Sequence, residues 1–373
     1  MKTLGMMLLL SGMTMTACEA HTDSFQPESG SGLPAAYASL ISKTSAYPTD
    51  YAEEAMHKGR IERLDYDTHD YAEGTGRDRS NTAYVYLPYG YDEQEDVHYN
   101  VLYLVHGHYG TASTTFEAEG GLLCRVLDHM VENGDMAPTI VVSPSYNYGQ
   151  PTSSYVDADP YCRALPHELA SDLIPLVETR YRTYLSSADA EGISASRQHR
   201  AIGGFSMGGV TTWYALAETF SAFAYYLPIS GDCWSLGAFA GMNRPDATAD
   251  YLANVVRQSP FAGNFYIWAA SGTNDSAYSE TLYQVQGMAR LTDTFGLDHL
   301  TFHEKDGARH EYRPIPEYVY NALPFFFPPQ AQTDIQAVKF SRNDGQTVTY
   351  NLAGMRYSGK GLVIEDGKKI LRR

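Results

Sequence analysis

Ser206 has the surroundings expected of a catalytic nucleophile. It lies at the centre of Gly204–Gly208 (GFSMG), which fits the pattern G-x-S-x-G. The pattern is informative where a strand runs directly into a helix, because the tight turn lifts the serine oxygen above the sheet and leaves no room for side chains at the two glycines. A buried strand is predicted over Ala201–Phe205 and a helix over Gly208–Thr219. We therefore predict that Ser206 attacks an acyl carbon.

A serine hydroxyl is a poor nucleophile until a base removes its proton, and histidine is the usual base. Where such a turn holds the nucleophile of an α/β hydrolase, the partners follow in the order serine, acid, histidine. His310 follows the last predicted strand, Leu300–Glu304, in a loop that would let its imidazole swing over the turn. His299 and His303 are the alternatives, but they flank or lie within that strand and are expected to be structural.

A carboxylate must hold the histidine in the correct tautomer. Asp275 comes just after the predicted strand Phe265–Ala270, at the carboxyl end where open parallel sheets place their ligands. Asp298 and Asp306 are the alternatives and fit this position less well. Asp275 is therefore the predicted orienting acid.

The predicted strand Asn100–Val105 ends in the segment HGHYG, where hydrolases of this type place one backbone donor of the oxyanion hole. We predict that the backbone N–H groups of His108 and Met207 form this pair. The His106 side chain is expected to brace the loop, because no carboxylate or second histidine at ligand spacing accompanies it. No metal and no cofactor are predicted.

Strands and helices are predicted to alternate along the chain. The predicted strands are 82–88, 100–105, 139–143, 201–205, 224–229, 265–270 and 300–304, and the predicted helices are 122–133, 168–181, 208–219, 249–258, 278–295 and 316–323. This order predicts a mostly parallel central sheet with helices on both faces, which is the α/β-hydrolase fold.

Composition divides the chain into four predicted regions. Residues 1–18 are predicted to be a signal peptide, 19–59 an arm or linker outside the core, 60–328 the catalytic domain, and 329–373 a linker and tail. The arm is rich in Ser, Gly, Pro, Thr and Ala and has little apolar periodicity. The tail contains short β-like segments, so a small β-rich appendage is predicted there.

The first residues have the features of an export signal. Lys2 precedes the apolar run Leu4–Leu10, which is too short to span a bilayer. The segment Met15–Cys18 resembles a bacterial lipoprotein box with Cys18 as the lipidated residue, and simple cleavage near Ala20 is the alternative. The protein is expected to be exported and to be anchored to the outer membrane as a lipoprotein or secreted.

The net charge limits the expected partners, and the cysteine content limits the possible disulfides. The 27 basic and 44 acidic residues give a net charge of −17, and no basic cluster occurs between residues 26 and 329, so nucleic acid is not an expected partner. Beyond residue 18 the cysteines are Cys124, Cys162 and Cys233, without a C-x-x-C pair. At most one internal disulfide can form among them, and the sequence leaves the pairing open.

The stretch from Thr82 to Phe327 resembles the feruloyl esterase modules of carbohydrate esterase family one, within the esterase D-like hydrolases. The resemblance lies in residues 106–110 (HGHYG), 203–214 (GGFSMGGVTTWY), 230–234 (SGDCW), 272–275 (GTND), His310 and 320–325 (YNALPF). It implies that Ser206, His310 and Asp275 form the catalytic triad. The implied substrate is a hydroxycinnamate ester on plant cell-wall arabinoxylan.

The resemblance also bears on substrate binding. Trp234 falls in the loop after the predicted strand 224–229, where its ring would pack against the phenolic ring, and Tyr109 is the second candidate substrate residue. The alternative is that Trp234 is a core residue beneath that loop. His310 is followed by Glu-Tyr in place of the aromatic pair associated with relatives, which leaves the acyl preference open.

Three other functions remain open from the sequence. An acetyl-xylan esterase would use the same residues with a smaller acyl pocket, and an acyl transferase would pass the acyl group to a sugar. A non-catalytic carbohydrate-binding protein is disfavoured, because binding alone does not require an activated serine. Residues 348–354 and 360–370 also resemble the C-terminal sorting domains of Bacteroidetes type IX secretion, which implies delivery to the cell surface.

Overall fold

The structure is a computed structural model that describes residues 35–329, 350–351, 361–365 and 368–372. The predicted signal peptide, the lipidation site Cys18 and the predicted strand 337–340 lie outside the described residues, so export, lipidation and the sorting role of the tail stay predictions. Within the described ranges, every helix is too short or too polar to cross a bilayer.

The helices and strands follow the predicted alternation closely. The strands are β1 (Ile41–Lys43), β2 (Arg60–His69), β3 (Asp78–Leu87), β4 (Asn100–Val105), β5 (Thr139–Ser143), β6 (Arg200–Phe205), β7 (Tyr225–Ile229), β8 (Tyr266–Gly272), β9 (Leu300–Lys305), β10 (Tyr350–Asn351), β11 (Gly361–Glu365) and β12 (Lys368–Arg372). The helices are α1 (Ala35–Leu40), α2 (Thr114–Asn133), α3 (Tyr155–Glu168), α4 (Ile174–Arg180), α5 (Ala190–Ala195), α6 (Met207–Glu218), α7 (Ala240–Asn243), α8 (Pro245–Gln258), α9 (Tyr278–Met288), α10 (Thr292–Phe295) and α11 (Ile315–Phe326).

Nine strands form one sheet in the order β1-β9-β8-β7-β6-β4-β5-β3-β2. Pairing is parallel from β1 through β5, whereas β3 and β2 pair antiparallel at one edge. Alternate residues of β4 enter two separate apolar clusters: Val101 and Tyr103 pack in one, and Leu102 and Leu104 in the other. Because successive side chains of a strand point to opposite faces, both faces of the sheet are covered. The predicted α/β-hydrolase fold is confirmed.

The prediction that residues 19–59 lie outside the core is wrong for the described part of that region. The short strand β1 pairs in parallel with β9 at the edge of the sheet, and Tyr37 and Leu40 are buried beside it. Tyr51 is also buried, and its hydroxyl donates to the Asp135 carboxylate at 2.6 Å. Strand β1 has only three paired residues, and the buried aromatic residues of this region are isolated in the sequence, so no periodic apolar pattern results. Together they cover an otherwise exposed edge of the sheet.

Several elements have no counterpart among the predictions, and strand β2 and helix α3 are the longest of them. Strand β2 pairs with β3 over its whole length, but its sequence RIERLDYDTH shows few apolar positions because only one face is buried. Helix α3 contains Pro160 and Pro166, which argue against a helix on local grounds. In the predicted helix 168–181, a π-helical turn over Leu169–Leu173 joins α3 to α4. Tertiary packing outweighs local propensity at these places.

The described part of the tail is a small antiparallel sheet of β10, β11 and β12. Strands β11 and β12 pair from Gly361 with Arg372 to Glu365 with Lys368, and Tyr350 of β10 pairs with Ile364. The predicted β-rich appendage is therefore present in these residues.

Glu168, the last residue of α3, is a buried carboxyl group. Its Oε1 atom accepts hydrogen bonds from the Tyr66 hydroxyl at 2.5 Å and from the Asn81 amide at 2.8 Å. Burial raises the pKa of Glu168 to about 7. Between pH 4.5 and 7 the unfolded chain loses a proton at this position that the folded chain keeps, so folding stability falls as pH rises through this window.

We expect the Glu168→Gln variant to remove this loss of stability. The amide oxygen can accept the same two hydrogen bonds, and the side chain cannot ionise. The free energy of unfolding should match wild type near pH 4.5 and exceed it by roughly 3 kcal/mol at pH 8. Urea unfolding at both pH values measures the difference, and an equal change at the two values would show that ionisation of Glu168 is not its cause.

Candidate active site

Ser206 lies at the turn between β6 and α6, in a strained backbone conformation with φ of 57° and ψ of −118°. Side chains at the flanking glycines are sterically excluded. A Cβ atom at Gly204 would lie 2.5 Å from the carbonyl oxygen of Gly208, and one at Gly208 would lie 2.2 Å from that of Val105. The predicted turn is present, and it directs the serine hydroxyl away from the end of the strand.

The structure brings together the three residues predicted to act on an ester. His310 Nε2 lies 2.9 Å from Ser206 Oγ, and His310 Nδ1 lies 2.7 Å from Asp275 Oδ1. The side chain of Asp275 is 1% exposed and that of His310 is 30% exposed. Asp275 also accepts the backbone N–H of Ala277 at 2.7 Å. A buried acid therefore orients an imidazole that is in hydrogen-bonding contact with the serine.

The alternative histidines and the alternative acid Asp306 have other partners. His299 stacks on the Phe265 ring, and His303 stacks on Trp268 with ring centroids 3.7 Å apart. Burial lowers the pKa of His303 to about 3, so this ring stays neutral. The Asp306 carboxylate is exposed and pairs with Lys43 at 2.6 Å. The expected structural role of the two histidines is confirmed.

The loop after β4 is held by buried polar contacts. His106 Nε2 lies 2.9 Å from Ser145 Oγ, and its Nδ1 lies 2.8 Å from the Gly107 carbonyl oxygen. Burial lowers the pKa of His106 to about 4, so the ring is neutral at pH 7. From the other side, the Gly107 N–H donates to the Tyr312 hydroxyl at 2.8 Å. His106 braces the loop, as predicted.

The backbone of this loop and the start of α6 line the same cavity as Ser206. Met207 is the first residue of α6, where N–H groups have no acceptor within the helix. Because the Gly107 N–H is engaged by Tyr312, the next amide along the loop, that of His108, is the candidate donor on this side. The pairing of His108 and Met207 as an oxyanion hole remains a prediction.

A cavity of about 540 Å³ opens beside Ser206 and His310. Part of its wall is a cluster of three aromatic rings: Trp234 lies 4.7 Å from Phe239 and 6.4 Å from Tyr155, measured between ring centroids. Trp234 is only 3% exposed, and its indole N–H donates to Asp232 at 2.6 Å. Trp234 is therefore packed in the core and also lines the cavity, and its contact with the substrate stays a prediction. Tyr109 also lines the cavity and is 81% exposed.

Several cavity-lining residues were not predicted as site residues from the sequence, among them Tyr155, Phe239, Glu280 and Tyr312. Tyr155 begins the unpredicted helix α3, and Phe239 lies in a loop without regular periodicity. Of these four residues, only Tyr312 could have been proposed from the sequence, because it follows the predicted base His310 by two residues. Cavities assembled from several loops leave no contiguous pattern in the chain.

The remaining predictions concern cysteines and metals. The thiols of Cys124, Cys162 and Cys233 are free, so none of the three possible disulfides forms. Burial raises the pKa of Cys233 to about 11, which keeps that thiol protonated. In the part of the chain that the structure describes, no three His, Cys, Asp or Glu side chains cluster as metal ligands would.

We expect Tyr312→Phe to lower kcat about tenfold and leave KM within a factor of two. The change deletes the hydroxyl that accepts the Gly107 N–H and so loosens the loop beside Ser206, at a cost of about 1 kcal/mol. Initial rates on p-nitrophenyl acetate measure both constants, with Tyr320→Phe in α11 as a matched control. A rise in KM at constant kcat would contradict a role in positioning the loop.

Known proteins resemble this chain in sequence and in structure. The model of the family Esterase, described as "Putative esterase", matches residues 75–318. Endo-1,4-beta-xylanase Y of Acetivibrio thermocellus is 34% identical over 286 residues, which cover 75% of this chain and 24% of that protein. An endo-1,4-beta-xylanase/feruloyl esterase of Xylanibacter ruminicola is 30% identical over 188 residues, which cover 48% and 23%. The chain thus spans about a quarter of the length of these curated relatives.

Solved structures show the same similarity. A serine-to-alanine mutant of the feruloyl esterase module from Clostridium thermocellum, complexed with sinapinate, is 32% identical with a TM-score of 0.66. The match covers 78% of this chain and 95% of that one. A ferulic acid esterase from Anaeromyces mucronatus is 19% identical with a TM-score of 0.53, and covers 76% and 96%. At that identity the likeness bears on the fold alone.

Proposed function

We propose that this chain, which belongs to the Esterase family and is a carboxylic ester hydrolase, cleaves hydroxycinnamate esters on plant cell-wall xylan. The observation that supports this most is the contact between Ser206 and His310 at the side of an aromatic-walled cavity of about 540 Å³. Such walls suit a planar phenolic acyl group, because aromatic rings pack favourably against one another. A feruloyl ester is the proposed preferred substrate.

In the proposed reaction Ser206 Oγ attacks the ester carbonyl carbon while His310 Nε2 takes its proton. The tetrahedral intermediate collapses, and His310 returns the proton to the departing sugar oxygen, which leaves an acyl-enzyme. Water then attacks with His310 again as base, and the free acid leaves. Asp275 keeps the proton of His310 on Nδ1 and stabilises the imidazolium that forms in both steps.

Negative charge develops on the carbonyl oxygen in each tetrahedral intermediate. The backbone N–H groups of His108 and Met207 are the proposed donors to that oxygen, and each such donor is typically worth about 3 kcal/mol of barrier. The hydrogen bond from Gly107 to Tyr312 and the buried ring of His106 would hold the first of these amides in place before the substrate arrives.

The acyl and sugar portions of the substrate are assigned to different parts of the site. The phenolic ring is proposed to pack among Trp234, Phe239 and Tyr155. Tyr109, which is largely exposed, is proposed to contact the polysaccharide that bears the ester. Two relatives are named as xylanases, one of them also as a feruloyl esterase, which supports a xylan-linked substrate.

Product analysis on three substrates tests the proposal. Wild-type protein is incubated with methyl ferulate, feruloylated arabinoxylan and acetylated xylan, and ferulate and acetate are quantified by chromatography. Release of ferulate from the first two supports the proposal. Acetate release without ferulate would assign an acetyl-xylan esterase, and feruloyl transfer to added sugar, detected by mass spectrometry, would assign an acyl transferase. No product from any substrate would favour carbohydrate binding without catalysis.

A further inference from the structure

Glu280 places a carboxyl group in the cavity without a partner. It lies in the first turn of α9 and lines the cavity together with Ser206 and Trp234. One helical turn later, Gln284 accepts the backbone N–H of Cys233 at 2.6 Å. This contact holds α9 against the loop that bears Trp234, and it places Glu280 on the same face of the helix as Gln284.

Among the described residues, no side chain or backbone N–H donates a hydrogen bond to the Glu280 carboxyl group. Its charged neighbours have the same sign. Asp232, which holds the Trp234 indole, and Asp275, which holds His310, both lie close enough to repel a negative charge on Glu280. No lysine or arginine is among the described residues that line the cavity.

These surroundings keep Glu280 in its acid form. Burial, followed by repulsion from Asp232 and Asp275, raises the pKa of Glu280 to about 8. At neutral pH the side chain therefore carries one O–H donor and a carbonyl acceptor, and both are available to a ligand. The side chain is half-buried and has no hydrogen-bond partner among the described residues, so a ligand with matching polar atoms can pair with it.

The position of Glu280 restricts which part of a ligand it meets. One acidic neighbour, Asp275, holds His310 and the other, Asp232, holds Trp234, and Glu280 lines the cavity together with both of these rings. An acyl group that is attached to Ser206 and packs against Trp234 therefore shares the cavity with this carboxyl group. The acyl group, and not the sugar, is therefore the part within its reach.

We propose that Glu280 is a specificity-determining residue that hydrogen-bonds the oxygen substituents on the aromatic ring of the acyl group. A ring hydroxyl donates to the carbonyl oxygen of the Glu280 acid, and the acid O–H donates to a neighbouring hydroxyl or methoxy oxygen. An acyl ring without oxygen substituents leaves the acid unpaired. This inference rests on the proposed function, because it takes the acyl group to be a hydroxycinnamate.

The test compares methyl ferulate with methyl cinnamate, which lacks ring oxygens. The ratio of the two kcat/KM values is measured at pH 7 for wild type, Glu280→Gln and Glu280→Leu. We expect the wild-type ratio to favour ferulate at least tenfold. The ratio of Glu280→Gln should stay within threefold of the wild-type ratio, and the ratio of Glu280→Leu should be about tenfold lower than wild type. The amide preserves one donor and one acceptor, whereas leucine removes both.

Glu311→Gln is the matched control, because Glu311 also lines the cavity but is exposed. Its ratio should equal that of wild type. Thermal unfolding of each variant establishes that it is folded, and a folded Glu280→Leu protein with the wild-type ratio would overturn the inference alone. A wild-type protein inactive on both esters would refute the proposed function, and the role of Glu280 with it.

Discussion

Replacing Ser206 with alanine is expected to abolish hydrolysis of methyl ferulate, with kcat falling by a factor of at least about 10⁴. Ser206 Oγ is the atom in contact with His310 Nε2, and alanine leaves no nucleophile at the turn. Because the cavity walls are unaffected, binding of the product ferulate, measured by isothermal titration calorimetry, should change less than threefold. Steady-state release of ferulate, followed by absorbance, measures the loss of turnover.

Covalent labelling separates loss of the nucleophile from misfolding. Diisopropyl fluorophosphate, which phosphorylates activated serines, should add one adduct to wild type and none to Ser206→Ala, as measured by intact-mass spectrometry. A Ser206→Ala protein that retains turnover would refute the role proposed for this serine. An adduct on the variant would locate the activated serine elsewhere in the chain.

Replacing Asp275 with asparagine is expected to lower kcat by about 10⁴ while the protein stays folded. The carboxylate accepts the hydrogen bond from His310 Nδ1, so it keeps Nε2 unprotonated and facing Ser206. An amide at this position can donate its own N–H to Nδ1, which moves the imidazole proton to Nε2 and removes the base. Single-turnover kinetics should show the loss in acylation and in deacylation, because His310 acts as the base in both steps.

Two further variants test whether the loss of kcat is specific to Asp275. Asp306→Asn alters an exposed acid of the same region that pairs with Lys43, and its kcat should stay within twofold of wild type. The double variant Ser206→Ala with Asp275→Asn should be no slower than Ser206→Ala, because residues that act as one unit lose their contribution together. A fall of less than tenfold in Asp275→Asn would require another residue to orient His310.

The core strands and the turn at Ser206 are predictable because their causes are local. Strands β4, β5 and β6 are buried on both faces, so their sequences are continuous apolar or small-residue runs. The close approach between Gly204 and Gly208 is set within five residues. Strand order then places the carboxyl ends of β8 and β9, with Asp275 and His310 beyond them, at the same edge of the sheet.

Elements whose formation depends on residues far away in the chain were not predicted. Strand β1 is three residues long and exists because β9 offers an edge for pairing. Helix α3 tolerates two prolines because its buried face packs into the core beside α6. The aromatic wall joins Tyr155 of α3 to Trp234 and Phe239, and no short segment of the chain contains all three.

The sequence by itself thus determined the sheet, the nucleophilic turn and the order of serine, acid and histidine, because the sterics of a turn and the direction of parallel strands act over a few residues. The tertiary structure decided what the site can bind. The ring contacts around Trp234 and the unpaired acid of Glu280 arise only when α3, α9 and the loop after β7 pack around one cavity. Partial burial and the neighbouring Asp232 and Asp275 raise the pKa of Glu280, and these surroundings exist only in the folded chain.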